Sequence, residues 1–302
     1  MVTLKMKLLI TGATGFIGKE LIRKLQNSYN IVALARESSD TSVLEDMHCE
    51  IIKFHDEKDI INTFTNNKFV GVIHVASNVL VEHDISNIDS LMNSNITFGT
   101  HLLEACKLTN VKWFINTGTF WQNYQDEDYN PVNLYAATKE AFEIISKYYT
   151  ETSDLIFTTI KLNDTYGPND TRPKIFNLWD KISKSGVVLD MSRGEQIIDI
   201  SYIDDVINSY TVLIEHLNSN SAVIFKNKTF VVSNEEKLTL KELALLFEES
   251  TDTQLNINWG GREYRQREVM QPYSLGKKVP DWEQKYSLTT GIKKTLTEMN
   301  ND

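Results

Sequence analysis

The sequence predicts an α/β fold built on a doubly wound parallel sheet. Through the first half of its 302 residues, short apolar runs alternate with stretches of helical period. One of these runs, residues 70–76, is apolar almost throughout, as in a parallel strand that is buried on both faces. A glycine-rich turn follows the first run directly. Together these observations predict a Rossmann-type sheet with right-handed crossover helices.

The predicted elements also suggest a division of the chain. Strands are expected at residues 8–10, 31–35, 51–54, 70–76, 113–116 and 157–162, and helices at 18–26, 88–108 and 134–149. After residue 170 the alternation ends, although residues 200–217 again fit the end of a strand followed by a helix, and a strand is expected at 229–232. We therefore predict a larger domain over residues 1–165, to which residues 200–235 return, and a smaller lobe over 166–302.

Composition excludes several classes of function. No apolar run approaches the roughly 18 residues of a membrane span. A formal net charge of −10 argues against nucleic-acid or anionic-membrane partners, which require clustered Lys and Arg. Two cysteines make no disulfide framework and the first predicted strand begins within ten residues of Met1, so a cytoplasmic protein is expected. The histidines lack metal-ligand spacing, and no metal is expected.

The turn after the first strand has the pattern of a dinucleotide-binding loop, Thr-Gly-Ala-Thr-Gly-Phe-Ile-Gly over residues 11–18. Gly12 allows a sharp turn off the strand, Gly15 leaves room for a pyrophosphate, and Gly18 lets the helix pack closely on the sheet. The free N–H groups at the start of the helix would hold the phosphates. The predicted cofactor contacts in this loop are Gly12, Thr14, Gly15, Phe16, Ile17 and Gly18.

Tyr135 and Lys139 are the strongest candidates for chemistry. Their i, i+4 spacing places them on one face of the predicted helix. A phenol titrates near 10 in water, and a neighbouring ammonium favours its ionised form, so such a pair is a tuned acid or base. Because the spacing is common, context must decide. Thr119 follows a predicted strand upstream and offers a hydroxyl to the carbonyl that the tyrosine would protonate.

Taken together, the motifs resemble the extended short-chain dehydrogenases/reductases of the NAD-dependent epimerase/dehydratase superfamily over nearly the whole chain. The matching positions are the glycines 12, 15 and 18, residues 72–76, Asn95, Gly99, Thr100, Thr119, Tyr135, Lys139, residues 166–168 and residues 202–206. The resemblance implies that Thr119, Tyr135 and Lys139 form the catalytic set and that Lys139 also holds the nicotinamide ribose. It further implies cofactor contacts at Asp56 and Ala76, and substrate contacts at Ser77, Asn78, Thr119 and Asn163.

The end of the second predicted strand indicates which dinucleotide binds. NAD enzymes place an acidic residue there to accept hydrogen bonds from the ribose, but this chain has Ala35 and Arg36. A guanidinium suits a 2′-phosphate, so NADPH is predicted over NADH. Glu37 leaves an alternative open, because its carboxylate is also close enough in sequence to approach the ribose.

The resemblance implies a nucleotide-linked sugar as substrate. Dehydratases of the superfamily carry Asp-Glu after the catalytic Thr, whereas Phe120 and Trp121 follow Thr119 here, so dehydration is not expected. Arg265 matches the family arginine that grips the sugar-nucleotide diphosphate, while Ile198 stands where a second arginine is usual.

Within the superfamily, the chain is most similar to the CDP-paratose and CDP-abequose synthase group. This resemblance implies NADPH-dependent reduction of the 4-keto group of a CDP-linked deoxyhexose, in the biosynthesis of deoxysugar and O-antigen precursors. Two alternatives remain: a nucleotide-sugar 4-epimerase that retains its NAD, and a dinucleotide-sensing protein without chemistry.

The predicted helices over residues 95–108 and 134–149 carry apolar residues around most of their circumference. Members of the superfamily commonly form homodimers through these helices, and deeper burial within one subunit is the alternative.

Overall fold

A seven-stranded parallel sheet forms the centre of the protein, whose computed structural model describes residues 5–299. The strands are β1 (Lys7–Thr11), β2 (Asn30–Arg36), β3 (Cys49–Phe54), β4 (Phe69–His74), β5 (Trp113–Thr119), β6 (Ile156–Leu162) and, later in the chain, β11 (Lys228–Val232). Their order across the sheet is β11-β6-β5-β4-β1-β2-β3. The chain crosses from one half of the sheet to the other between β3 and β4, so the carboxyl ends of β1 and β4 flank a topological switch point.

Helices cover both faces of this sheet. In chain order they are α1 (Phe16–Leu25), α2 (Glu57–Asn66), α3 (Ile88–Met92), α4 (Phe98–Thr109), α5 (Leu134–Glu151), α6 (Ile175–Ser185), α7 (Ile203–Leu217), α8 (Leu240–Thr251) and α9 (Leu288–Met299). Leu8 and Ile10 of β1 pack into one core with α1 and α7, whereas Leu9, between them, packs into a second core with α2, α4 and α5. This alternation along one strand confirms the doubly wound α/β fold.

The second half of the chain adds small strand pairs outside the central sheet. The strands are β7 (Asp164–Tyr166), β8 (Leu189–Met191), β9 (Ile197–Ile198), β10 (Ile200–Tyr202), β12 (Leu238–Thr239) and β13 (Ile257–Trp259). They pair as β10 with β7, β12 with β9 and β13 with β8. β11, by contrast, pairs in parallel with β6 at the edge of the central sheet. The outer ends of the two predicted units, residues 1–4 and 300–302, lie outside the described residues.

Several elements differ from the predicted ones. The helix expected over residues 88–108 is divided into α3 and α4 by a wider π-helical turn at Asn93–Thr97. Helix α2 was not among the predicted helices, although Asp56 caps it by accepting hydrogen bonds from the backbone N–H groups of Lys58 and Asp59. Within residues 5–299, no helix is both long enough and apolar enough to cross a membrane.

Candidate active site

A cavity of about 740 Å³ runs along the carboxyl ends of the central strands, at the switch point. This volume lies within the range of ligand and cofactor sites. Its lining comes from the loop after β1, the ends of β2 to β5, the start of α5 and the segment over residues 162–174. Of the predicted site residues, those in the lining are Gly12, Thr14, Gly15, Phe16, Ile17, Gly18, Arg36, Asp56, Ala76, Ser77, Asn78, Thr119, Tyr135 and Asn163.

The glycine loop has the shape of a dinucleotide cradle. Gly12 has a φ of +69°, and a Cβ at this position would lie 2.5 Å from the backbone nitrogen of Ala76. A Cβ on Gly18 would lie 2.7 Å from the Cα of Ala13, so the start of α1 packs directly on the loop. No side chain caps α1 at Gly15. The N–H groups of its first turn are therefore available to a phosphate, and the loop fits the pyrophosphate of a dinucleotide.

A buried polar contact joins the strand ends beneath this cradle. The Thr11 hydroxyl is hydrogen bonded to Nδ1 of His74 at 2.8 Å and accepts a hydrogen bond from the N–H of Ala76 at 3.3 Å. His74 is fully buried, and burial lowers the pKa of its imidazole well below its usual value. The neutral imidazole therefore holds the carboxyl ends of β1 and β4 together. This contact also fixes the positions of Gly12 and Ala76, which follow these two strands.

Exposed side chains line the end of the cavity at which the sequence predicts the adenosine of the cofactor, which we call the adenosine end. Arg36, His55 and Asp56 all contribute to the lining. Glu37 is not part of it: its carboxylate lies 3.1 Å from Nδ1 of His55. The carboxylate of Asp56 accepts the N–H groups of Lys58 and Asp59 at 2.9 and 3.1 Å. The positive charge of Arg36 thus borders the cavity, whereas the carboxylate of Glu37 is turned toward a histidine.

The opposite end presents the phenol of Tyr135. Asn133 caps α5 by accepting the N–H of Ala136 at 3.0 Å, which places Tyr135 in the first turn of the helix. The hydroxyls of Ser77 and Thr119 lie beside the phenol, and each lowers its pKa. The expectation of a lowered pKa for this phenol is wrong: burial raises the pKa of Tyr135 to about 12, and the hydroxyls of Ser77 and Thr119 only partly oppose that rise. At neutral pH the phenol carries its proton.

Lys139 lies one turn along α5 and is only 1% exposed. Tyr135 lines the cavity, whereas Lys139 is not among the residues that line it. Burial lowers the pKa of its ammonium to about 8, and the charge of Glu143 opposes this shift. The ammonium therefore still carries its proton at neutral pH, despite the burial.

Asn95 connects the loop after β4 to the helix of Tyr135. Its side-chain oxygen accepts hydrogen bonds from the Ser77 hydroxyl at 3.1 Å and from the N–H of Asn78 at 2.8 Å. Its amide group donates to the Thr138 hydroxyl on α5 at 2.9 Å. Because Asn95 lies in the π-helical turn, the irregular turn holds Ser77 beside Tyr135.

Residues predicted to contact the substrate divide into two groups. Asn163 lines the cavity, and its side-chain amide donates to the backbone oxygen of Val232 at 3.0 Å. Its side-chain oxygen is buried and has no hydrogen-bond partner among the described residues. Arg265 lies outside the cavity lining, with its Nε 3.9 Å from the carboxylate of Glu268. Its role in holding a diphosphate stays a prediction.

The cavity also contains residues that were not predicted. Thr117 lies two positions before Thr119 on β5, and its hydroxyl is hydrogen bonded to the phenol of Tyr210 at 2.7 Å. The two-residue spacing, which places both threonines on one face of a strand, was the available signal. Arg172 and Lys174 add positive charge near Asn163. Arg172 is paired with Asp170 at 2.7 Å, and its guanidinium lies 4.7 Å from the centre of the Phe16 ring.

A dinucleotide cradle at one part of the cavity and a buried Tyr-Lys pair at another define an NAD(P)-dependent enzyme of the short-chain dehydrogenase/reductase type. The family model described as the NAD dependent epimerase/dehydratase family matches residues 8–230. The chain belongs to this family.

Curated relatives and solved structures agree with this assignment. The chain is 27% identical to a CDP-abequose synthase from Salmonella muenchen, over 98% of this chain and 99% of the relative. It is 25% identical to the CDP-abequose synthase of Salmonella typhimurium, over 99% and 100% of the two chains. The fold is shared with a UDP-glucose 4-epimerase from Thermotoga maritima, at a TM-score of 0.83 and 22% identity over 98% of this chain and 99% of that one. A UDP-glucuronic acid 4-epimerase from Bacillus cereus also shares the fold, at a TM-score of 0.82 and 19% identity over 98% of this chain and 99% of that one.

Proposed function

We propose that the protein is an NADPH-dependent reductase of the 4-keto group of a nucleotide-linked deoxyhexose, with CDP as the nucleotide. It would act in the biosynthesis of deoxysugar and O-antigen precursors. The observation that carries the proposal is the protonated phenol of Tyr135, which lies beside the hydroxyls of Ser77 and Thr119 in a cavity of about 740 Å³. The near full-length similarity to two CDP-abequose synthases supports the choice of substrate.

The adenosine end supports NADPH as the cofactor. Arg36 borders the cavity with five N–H donors that suit a 2′-phosphate, whereas Glu37 is outside the lining and has a carboxylate oxygen 3.1 Å from Nδ1 of His55. When bound, NADPH supplies the hydride for C4 of the sugar. The residues proposed to hold it are the loop residues Gly12, Thr14, Gly15, Phe16, Ile17 and Gly18, together with Arg36, Asp56, Ala76, Tyr135 and Lys139.

Tyr135 has the protonation state that ketone reduction requires. As negative charge develops on the carbonyl oxygen of the substrate, the Tyr135 hydroxyl transfers its proton to that oxygen, which yields a hydroxyl group at C4. The Thr119 hydroxyl hydrogen bonds the same oxygen. The ammonium of Lys139, one turn along the helix, stabilises the phenolate that remains until a proton from solvent restores the phenol.

The remaining predicted residues are proposed to hold the sugar nucleotide. Ser77, Asn78 and Asn163 line the cavity beside Tyr135. Arg172 and Lys174 also line the cavity, where they are paired with Asp170 and Asp164. Arg265 belongs to the proposed substrate contacts on the strength of its motif alone.

We also propose the division into an NADP-binding domain over residues 1–165, with residues 200–235 returning to it, and a substrate-binding lobe over 166–302. The position of β11 at the edge of the central sheet supports the return. The thiols of Cys49 and Cys106 are both free, which suits a reducing cytoplasm.

A homodimer through the helices over residues 95–108 and 134–149 is proposed from the exposure of their apolar side chains. Leu108 is 60% exposed, Ile144 65% and Tyr148 59%. Exposed apolar side chains of this size on neighbouring helices suit a contact with a second copy. Sedimentation velocity should show a dimer for the wild type and a shift to monomer for Ile144→Asp. A wild type that sediments as a monomer at all concentrations would contradict the proposal.

The test of function is a substrate panel. NADPH is offered with CDP-, dTDP-, GDP- and UDP-linked 4-keto deoxyhexoses. Its oxidation is followed by the loss of nicotinamide absorbance, and the product is identified by NMR. We expect one hydroxyl configuration at C4 and the highest kcat/KM with the CDP-linked substrate. Absence of NADPH oxidation with every member of the panel would contradict the proposal.

A nucleotide-sugar 4-epimerase with retained NAD is the second candidate. The solved epimerases named above share the fold, and the UDP-glucuronic acid 4-epimerase was solved with NAD. The purified protein would then contain tightly bound NAD, consume no added NADPH and interconvert the C4 configuration of its substrate. Extraction and mass analysis of the nucleotide bound after purification distinguish the two candidates.

A further inference from the structure

The side chain of Gln122 connects the strand of Thr119 to the helix of Tyr135. Its oxygen accepts the backbone N–H of Thr119 at 2.8 Å. Its amide group donates to the carboxylate of Glu140 at 2.6 Å and to that of Glu143 at 2.8 Å, both on α5. Gln122 is 0% exposed, and both polar atoms of its side chain have partners.

The two carboxylates belong to a balanced group of charges behind the phenol. Glu140 lies 3.9 Å from the ammonium of Lys161 on β6, and Glu143 interacts electrostatically with Lys161 and Lys139. Two basic side chains therefore interact with the two acidic ones, and both acidic side chains contact one neutral amide. Like charges so close together in a buried site are costly unless paired, and the amide of Gln122 separates the two carboxylates while satisfying both.

The backbone around Gln122 leaves little room for adjustment. A Cβ on Gly118 would lie 2.8 Å from the side-chain oxygen of Gln122 and 2.9 Å from Cγ of Lys161. The backbone oxygen of Gln122 accepts the N–H of Asn130 at 3.0 Å, which also ties the loop that leads to α5. Strand end, loop and helix are thus held by one residue.

We propose that Gln122 is a positioning residue, whose side-chain amide sets the separation between Thr119 and the helix that carries Tyr135 and Lys139. This inference rests on the catalytic roles proposed above for Thr119 and Tyr135. Positioning matters to this chemistry because a displacement of about 1 Å between reacting groups costs on the order of a hundredfold in rate.

Gln122→Met tests the proposal, since methionine has a similar length and cannot form these hydrogen bonds. We expect kcat to fall about 10- to 100-fold, with the KM for the sugar nucleotide and the Kd for NADPH changed less than about twofold. Hydrogen exchange at the Thr119 amide should become at least about tenfold faster, because its acceptor is lost.

Gln284→Met is the matched control. Gln284 accepts the N–H of Glu235 at 2.8 Å and donates to Asn234 at 3.0 Å and to the backbone oxygen of Tyr286 at 2.7 Å, so it makes the same number of bonds away from the cavity. We expect it to lower the melting temperature while kcat stays within about twofold of wild type. An equal loss of kcat in both variants would overturn the proposal in favour of general destabilisation.

Exchanging the amide of Gln122 with the carboxylate of Glu140 tests whether the lost kcat can be recovered. Gln122→Glu brings a third carboxylate beside Glu140 and Glu143, and we expect a loss of kcat at least as large as in Gln122→Met. Adding Glu140→Gln restores one amide and two carboxylates and should recover a large part of the lost kcat. No recovery in the double variant would argue against the proposed hydrogen-bond bridge.

The outcomes also separate this inference from the proposed function. If the wild type oxidises NADPH with none of the 4-keto sugars, the proposed function fails, while the exchange rate at the Thr119 amide still tests the bridge. Unchanged exchange at Thr119 in Gln122→Met would overturn the inference whatever the substrate is. Faster exchange with unchanged kcat in an active enzyme would also overturn it.

Discussion

The two ends of the cavity are built differently. At the adenosine end, Arg36, His55 and Asp56 are exposed side chains at the ends of strands, where solvent weakens each charge interaction. At the other end, which we call the reacting end because the proposed proton donor lies there, Tyr135 is 8% exposed and Lys139 is 1% exposed. Both belong to α5, which side-chain hydrogen bonds connect to neighbouring elements. The first end presents its charges to solvent, whereas the second fixes geometry by packing. Substitutions should therefore change cofactor preference at one end and turnover at the other.

The largest effect is expected for Tyr135→Phe, which keeps the ring and removes the proton donor. We expect kcat to fall about 10²- to 10⁴-fold, the contribution typical of a general acid, while the Kd for NADPH stays within about twofold. Stopped-flow turnover and fluorescence titration with NADPH provide the two measurements.

Tyr149→Phe is the control for this prediction, because Tyr149 is a second buried tyrosine of α5 whose pKa is also raised to about 12. Tyr149 does not line the cavity, so turnover by Tyr149→Phe should match that of the wild type. Turnover by Tyr135→Phe at the wild-type rate would remove Tyr135 from the mechanism and erase the contrast between the two ends.

A smaller effect is expected at the adenosine end. Arg36→Ala should lower kcat/KM for NADPH about 10- to 100-fold, which corresponds to the loss of charged hydrogen bonds of about 1.5–3 kcal/mol, and should leave kcat/KM for NADH within about twofold. Because the phosphate contact does not reach the reacting end, kcat at saturating NADPH should change little.

Arg23→Ala provides the comparison for Arg36, since Arg23 pairs with Glu20 and lies outside the cavity lining. It should leave both cofactors unaffected. Equal losses for NADPH and NADH in Arg36→Ala would show that Arg36 supports the loop and does not recognise the 2′-phosphate.

The smallest effect is a shift in pH dependence. Lys139, with a pKa of about 8, is faced by His74 from β4 and by Glu143 on its own helix, and Glu143 raises its pKa. Glu143→Gln removes that charge, so Lys139 loses its proton at a lower pH. The alkaline limb of the profile of kcat/KM against pH should therefore move to lower pH, as measured between pH 6 and 10.

Glu248→Gln is the matched change for this profile. Glu248 is a half-buried carboxylate on α8 that accepts the N–H of Leu255 at 2.7 Å, away from the cavity. Its profile should coincide with the wild type. If the alkaline limb of the profile of kcat/KM against pH moves to higher pH in Glu143→Gln, that limb does not arise from loss of the proton of Lys139.

Local patterns predicted the strands in the first half of the chain better than its helices. The glycine spacing after the first strand predicted the cradle, and the run of apolar residues predicted β4 with an error of one or two residues at its ends. Helix α2 was missed even though Asp56 supplies a capping side chain, because its apolar residues Ile60 and Phe64 form only a short stripe. The division of the predicted helix over 88–108 follows from the buried contacts of Asn95, which periodicity does not reveal.

The candidate site was predicted less completely, for a related reason. Tyr135 and Lys139 are neighbours on one helix, so their pairing can be read from spacing. Thr117 and Tyr210 are 93 positions apart, and Gln122 contacts a helix that begins twelve residues later, so no local pattern connects them. The pKa of Tyr135 was wrongly expected to fall, because burial is a property of the assembled site and not of the helix alone.

By itself the sequence determined the class of fold, the dinucleotide cradle and the pairing of Tyr135 with Lys139 on one helix, because glycine conformation, strand patterning and helical spacing are local properties. Only the tertiary structure decided that Tyr135 is protonated, that Glu37 turns to His55 and that Gln122 bridges strand and helix. These outcomes depend on which groups from distant parts of the chain exclude water from one another. Burial and long-range hydrogen bonding therefore set the chemical state of residues whose types the sequence had already fixed.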